Sequence, residues 1–194
     1  MTDSAHADHT GDDRSSRRAL LGALGGGAAI ALVGGRSVAA GTDSPGLSDD
    51  DLSITGSAIA LELAARDLYD SAIDAGADDE IWIAMREQHE AYAQLLAGIS
   101  GISATTRDQT TFDGLGGGFD TADPAAAAFD LENVVAATHL ELLGRVDDAD
   151  LAGAMASFVA IESRHATVLA TISGQGDDFD ALFVNPATPL EIDA

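Results

Sequence analysis

The sequence predicts an all-α fold, a four-helix bundle made of two helical hairpins joined by a long crossover. Three observations predict it. Apolar residues recur at helical spacing in four segments, residues that start and stop helices bound each segment, and the two halves of the chain repeat one another. With 194 residues, of which 46% are hydrophobic, the chain is long enough for one domain with a core of ordinary size.

The first hairpin is predicted from its helix ends. Ser48 is a typical capping residue, and the acids at 49–51 suit the first turn of a helix that continues to Ala75 and stops at Gly76. A second helix is predicted over residues 78–98. A turn this short makes the two helices antiparallel.

Residues 100–123 are rich in Gly, Thr and Asp and show no clear period, so they predict a flexible linker. The glycines at 114–118 do not predict a phosphate loop, because no strand precedes them and no Lys follows. A linker of this length can run the length of a helix and return to the other end of a bundle.

The second hairpin is predicted over residues 124–173. Pro124 suits a first helical turn with Asp123 as cap, the turn lies at 147–150, and Gly174 ends the fourth helix. Residues 175–194 predict an extended C-terminal tail, with three apolar side chains packing back on the bundle: Phe179, Leu182 and Phe183.

The two hairpins match each other at particular polar residues, which indicates an internal duplication. The matched pairs, at an offset of 70 on the first helices and 73 on the second, are Glu62 with Glu132, Tyr69 with His139, His89 with Glu162, and Tyr92 with His165.

The most informative stretch is Glu162-Ser163-Arg164-His165. A Glu and a His three residues apart project from one face of a helix and can close on one metal ion. At 100° per residue both fall within the apolar stripe of their helix, and a buried carboxylate needs a partner or a metal. An isolated occurrence also fits a hydrogen-bonded Glu beside a core histidine.

The same phase argument predicts a set of inward ligand-type residues at one depth in the bundle. The predicted metal ligands are Glu62, His89, Glu132, Glu162 and His165. Tyr69 and His139 lie seven residues beyond their glutamates, about 10 Å along the axis, and with Tyr92 are expected to support the ligands rather than to bind metal. Glu87 and Glu90 face outward unless a π-bulge turns one of them inward in place of His89.

Composition restricts the function further. The chain has no Cys, so a metal must be held by oxygen and nitrogen. A net charge of −24 repels phosphates and anionic lipids, so nucleic acid is not an expected partner.

The N-terminal region resembles a twin-arginine export signal, with Arg17 and Arg18 ahead of a short, Gly-rich apolar run at 20–35 and small residues before a cleavage point at 39 or 40. The predicted division is a signal peptide at 1–40, a linker at 41–48, the bundle at 49–174 and the tail at 175–194. This predicts a periplasmic, cell-wall or extracellular protein without a stable membrane span after cleavage; the alternative is a Gly-rich membrane anchor.

Together these residues resemble the ferritin-like superfamily, in particular its small exported actinobacterial-type members. The resemblance implies iron or manganese inside the bundle, held by a Glu on the first helix of each hairpin and by Glu-x-x-His on the second. Glu132, Glu162 and His165 match this pattern fully. The first hairpin matches only at Glu62, since His89-Glu90-Ala91-Tyr92 stands where Glu-x-x-His is expected.

Two hypotheses follow. The first is a metal-binding bundle with one or two ions that acts in oxidation or peroxide handling. The second is a metal-free structural or interaction bundle in which the same residues form a buried polar network. The oligomeric state stays open, with a dimer among the alternatives.

Overall fold

The computed structural model describes residues 46–77, 79–121 and 123–192. The predicted signal peptide, with Arg17 and Arg18, lies outside the described residues, as does most of the linker at 41–48. The described residues form six helices: α1 Asp49–Asp74, α2 Glu80–Ser100, α3 Gln109–Leu115, α4 Ala125–Leu143, α5 Ala149–Ile172 and α6 Phe179–Phe183.

The four long helices form two hairpins, in which α1 packs along α2 and α4 packs along α5. The hairpins contact each other through α1 with α4 and α2 with α5. The predicted all-α bundle of two hairpins joined by a crossover is therefore confirmed. Among the described helices, none is both long enough and apolar enough to cross a membrane.

The ends of the helices follow from local hydrogen bonding. The Ser48 hydroxyl accepts from the backbone N–H of Asp51 at 3.0 Å, and the Asp148 carboxylate caps α5 in the same way. After α2, Gly101 adopts φ 76°, a left-handed conformation that glycine reaches without strain. The four long helices begin and end within a few residues of their predicted bounds.

One buried carboxylate ties the hairpins together at the end of the bundle. Asp51 is 3% exposed, and its Oδ1 accepts from the backbone N–H of Asp147 at 3.0 Å. Asp51 lies in the first turn of α1, and Asp147 lies in the turn between α4 and α5. The contact fixes the level of one hairpin against the other.

The crossover was expected to be a flexible linker, and this expectation is wrong for its middle part. The carboxylate of Asp108 caps α3 by accepting from Thr111 N–H at 2.8 Å, and Phe112 and Leu115 pack against the core. The Arg107 guanidinium lies 3.5 Å above the Phe112 ring. A cap and two apolar contacts are enough to order this seven-residue helix, which is too short to show a period in the sequence.

The C-terminal segment also departs from the expectation of an extended tail. Asp178 accepts from the N–H groups of Asp180 and Ala181 and starts α6. Leu182 packs on the core as expected, whereas the exposed fractions of Phe179 and Phe183 are 72% and 71%. Beyond α6 the chain runs beside α4, where the Leu190 N–H donates to the Thr138 hydroxyl.

The bundle core consists of two apolar clusters. One contains Trp82, Phe119 and Phe129, and the other contains Leu96 and Phe158. The polar residues described next belong to the buried interior of the same four helices.

Candidate metal centre

All four long helices contribute buried polar side chains to the interior. Five of these side chains have an exposed fraction of 0% and His165 has 7%. The six are Glu62 on α1, His89 on α2, Glu132 and His139 on α4, and Glu162 and His165 on α5. Three carboxylates and three imidazoles therefore share one water-excluded region.

The first group consists of His89, Glu132 and His165, whose ligand-type atoms lie within 4.8 Å of one another. Oε1 of Glu132 is 3.2 Å from Nε2 of His89 and 3.3 Å from Nδ1 of His165. The Tyr69 hydroxyl donates to the same oxygen at 2.5 Å. This hydrogen bond fixes the orientation of the carboxylate.

The second group consists of Glu62, His139 and Glu162, again within 4.8 Å of one another. Nδ1 of His139 lies 3.0 Å from Oε1 of Glu162, and Nε2 lies 3.3 Å from Oε1 of Glu62. The two groups adjoin, because Nδ1 of His89 is 2.7 Å from Oε2 of Glu62.

Several polar atoms at this centre are buried and lack a hydrogen-bond partner among the described residues. The Nε2 of His139 and Nδ1 of His165 approach a carboxylate at 3.3 Å, but without hydrogen-bond geometry. The atoms are Oε1 of Glu62, Oε2 of Glu132, Oε2 of Glu162, Nε2 of His139, Nδ1 of His165 and the hydroxyl of Tyr92. Buried groups of this kind are normally paired or coordinate metal.

Gln88 sets the orientation of one imidazole. Its side-chain oxygen is hydrogen-bonded to Nε2 of His165, so Nε2 carries the proton and donates. In the neutral form that a bound metal requires, Nδ1 would then present its lone pair to an ion in the interior of the site. This arrangement is the one that a metal-binding imidazole requires.

The charges of the site act strongly on one another. Burial lowers the pKa of His89, but the carboxylates of Glu132 and Glu62 outweigh it and hold that pKa well above its ordinary value. Burial likewise opposes the effect of Glu162 on His139, whose pKa is also raised. Both rings therefore favour a bound proton in the absence of metal.

The pKa values of the Glu132 and Glu162 carboxyl groups are shifted in opposite directions. Burial raises the pKa of Glu132, but the imidazoles of His165 and His89 overcome it and lower the pKa far below its ordinary value. Burial dominates at Glu162, where the pKa is raised although His139 opposes the change. The first group therefore holds the more firmly ionised carboxylate.

The comparison with family models agrees with this geometry. The model of the Ferritin-like domain matches residues 50–175, which is more than half of the chain. The protein belongs to this family. The predicted ferritin-like fold is thus confirmed. Neither the curated proteins nor the solved structures yielded a match.

In this ferritin-like domain, the predicted outward direction of Glu87 and Glu90 holds. Glu87 is exposed, and Glu90 accepts from the Arg66 guanidinium at 2.6 Å. The alternative in which one of them replaces His89 is therefore wrong, because α2 runs as a regular helix through this region and keeps His89 inside.

The structure places His139 differently from the sequence expectation. We expected it to lie about 10 Å along the axis from the ligands and to support them. Instead it stands between Glu62 and Glu162 with one ring nitrogen unpartnered among the described residues. The sequence repeat, which matches Tyr69 with His139, could have predicted this position of His139. Both side chains contact the glutamate of the opposite hairpin.

Within the described part of the chain, Tyr69 has polar contacts and Tyr92 has none, although both were expected to support the ligands. Tyr69 donates to Glu132 and lies 3.5 Å from the sulfur of Met85. Tyr92 stacks on Phe158 with ring centroids 4.3 Å apart, and its hydroxyl is unpartnered among the described residues. Burial, followed by the neighbouring carboxylates, raises the pKa of both phenols.

Proposed function

We propose that this ferritin-like protein binds one or two iron or manganese ions inside its bundle and uses them in oxidation or peroxide handling. The family and the two buried groups of His and Glu support metal binding.

The observation that carries the proposal is the donor set. Each of the three glutamates has one buried oxygen that no hydrogen bond from the described residues satisfies. Carboxylate oxygen and imidazole nitrogen are the donors that iron and manganese accept, and the chain has no thiolate to favour softer metals. These residues fit such ions.

The six buried residues would form two sets of metal ligands. His89, Glu132 and His165 would hold one ion, and Glu62, His139 and Glu162 would hold a second. A bound iron or manganese ion supplies Lewis acidity and electron transfer. The hydrogen bond from Tyr69 keeps Glu132 oriented, and complete burial of the glutamates excludes bulk water.

The protonation of the imidazole rings would make metal binding depend on pH. Because metal ligation needs the neutral ring, His89 and His139 release their protons when an ion binds. The Gln88 oxygen retains the proton of His165 on Nε2, away from the ligand nitrogen. Metal binding is therefore expected to become tighter as the pH rises.

We further propose that this protein is exported and acts outside the cytoplasm. The support is the sequence Ser15-Ser16-Arg17-Arg18-Ala19-Leu20-Leu21 with its following apolar run. A reporter fused behind residues 1–48 tests this. Export should fail when Arg17 and Arg18 are both replaced by Lys, and export that continues unchanged would contradict a twin-arginine route.

Metal analysis tests the binding function. Protein loaded with Fe²⁺ or Mn²⁺ and passed over a chelating resin should retain one to two ions per chain, and Glu162→Ala should retain fewer. A protein that resists loading with both ions would contradict the proposal.

The second candidate function, a metal-free structural bundle, is favoured by one observation. His89 with Glu62 and His139 with Glu162 make hydrogen-bonded pairs at 2.7 and 3.0 Å. On this account Glu162→Ala destabilises the fold equally with and without metal. On the metal-binding account the loss is larger in the presence of the ion.

A further inference from the structure

The phenol of Tyr92 has no role in the function described so far. Its residue is 5% exposed, and its hydroxyl finds no hydrogen-bond partner among the described residues. Tyr69, by contrast, donates to Glu132 at 2.5 Å. A buried hydroxyl without a partner at a cluster of ligand-type residues indicates a group whose partner is the ligand of the site.

The repeat of the two hairpins shows which group Tyr92 belongs to. The three-dimensional structure follows the repeat, because Tyr69 and its counterpart His139 each contact the glutamate of the opposite hairpin. The Tyr69 hydroxyl lies 2.5 Å from Glu132, and Nε2 of His139 lies 3.3 Å from Glu62. The counterpart of Tyr92 is His165, which joins the first group beside Glu132. The repeat exchanges the two groups, since Glu132 of the first group matches Glu62 of the second. Tyr92 is therefore matched to the second group.

Electrostatics agrees with this placement. Burial has the largest effect in raising the pKa of the Tyr92 phenol, followed by the charges of Glu162, Glu62 and Glu132 in that order. Glu162 and Glu62 are both members of the second group. The packing agrees, because the Tyr92 ring stacks on Phe158 with centroids 4.3 Å apart, and Phe158 lies edge-on to the His139 ring of the second group at 5.5 Å.

The donor chemistry of the two hairpins is also complementary. Glu162 and His165 offer an anionic donor followed three residues later by a neutral one. His89 and Tyr92 offer a neutral donor followed at the same spacing by a phenol that becomes anionic on a metal. The first hairpin thus supplies the same two kinds of donor in reverse order.

From these observations we infer that Tyr92 is a metal ligand, whose phenolate oxygen completes the second group with Glu62, His139 and Glu162. The inference rests on the proposed metal-binding function. Ligation forms one bond from the oxygen to the ion and breaks the O–H bond, and the proton passes to solvent. It differs from the sequence expectation, which gave Tyr92 a supporting role.

Iron loading gives a direct test, because phenolate bound to ferric iron absorbs visible light through charge transfer. The full chain is loaded with Fe²⁺ without oxygen, oxidised in air, and examined by visible absorption and resonance Raman spectroscopy. The chain contains only two tyrosines, so Tyr69→Phe tests the other phenol, and because Tyr69 orients Glu132 the absorbance of every variant is expressed per bound iron. We expect the band in the wild type and in Tyr69→Phe, and its loss in Tyr92→Phe with iron still bound.

Two results would overturn the inference while leaving metal binding intact: bound ferric iron without the band, or a band that persists in Tyr92→Phe. A chain that binds no iron overturns both the inference and the proposed function. If Tyr92→Phe does not fold, ring-deuterated tyrosine in the wild type should shift the phenolate Raman lines. Retention of those lines in Tyr69→Phe then assigns them to Tyr92, and their disappearance while iron stays bound refutes the assignment.

Discussion

Gln88 is a polar residue outside the ligand groups whose effect on the site can be isolated. Its side-chain oxygen holds the proton on Nε2 of His165. Gln88→Leu should leave the fold intact and weaken metal binding by roughly 10- to 100-fold, since partners of ligating histidines usually have effects of this size. Gln94 on the same helix is exposed, so Gln94→Leu is the control, and equal affinities in a metal titration would contradict the role of Gln88.

Glu132 lies at the centre of the first group, where it contacts Tyr69, His89 and His165. Glu132→Gln keeps the shape but removes the charge, so the metal affinity should fall by more than the roughly 10- to 100-fold typical of an indirect partner. Glu141→Gln, on the exposed face of the same helix, should change it little. Competition against a chelator of known affinity measures both.

Most of the candidate ligands could be predicted from sequence because helical phase alone decides which side chains face inward. Glu62, His89, Glu132, Glu162 and His165 all prove to be buried. The place of His139 could not be predicted by counting rise along a straight axis. Its ring and the carboxylates of Glu62 and Glu162 extend toward one another from three helices, and this depends on the stagger of the hairpins.

At the scale of elements, the end of the bundle depends on Asp51, which joins the start of α1 to the turn between α4 and α5. Asp51→Ala removes the acceptor of the Asp147 N–H, which lies on an exposed residue and can turn to water, so the loss should be about 1 kcal/mol of unfolding free energy. Asp50 is exposed and neighbours it, so Asp50→Ala is the control in urea unfolding. Equal midpoints for the two variants would contradict this contact.

Histidines from different helices give the metal-free protein a pH dependence. The pKa values of His89 on α2 and His139 on α4 are raised above the ordinary value of 6.5, so their stabilising effect is complete below that pH and is lost as the pH rises through the folded values. Unfolding of the metal-free protein should therefore become easier from pH 6.5 upward. Metal affinity should change in the opposite direction, and a pH-independent midpoint without metal would contradict these shifts.

The long helices could be predicted because caps, apolar period and glycine stops agree over many residues. The short helices α3 and α6 could not, since each depends on one capping Asp and on a few contacts with the bundle that lie far away in sequence. A five- or seven-residue helix is too short to show a period, and tertiary packing decides whether it forms.

At the scale of the whole molecule, metal binding should stabilise the fold, since ligands from four helices are brought together only in the native state. At a free ion concentration of about 100 times Kd the expected gain is roughly 2.7 kcal/mol per site. The chain carries 33 acidic residues, so weak binding of divalent ions to its surface is also expected. Mg²⁺ at the same concentration is the control, and equal thermal shifts for Mg²⁺ and Mn²⁺ would contradict a specific site.

The position of the bound ion therefore distinguishes a buried metal site from binding to surface carboxylates more directly than the number of bound ions does. The decisive measurement is anomalous X-ray diffraction from crystals of the full chain loaded with manganese or iron. Anomalous density should appear inside the bundle, between His89, Glu132 and His165 or between Glu62, His139 and Glu162. Density confined to surface carboxylates, with none in the interior, would contradict the central claim.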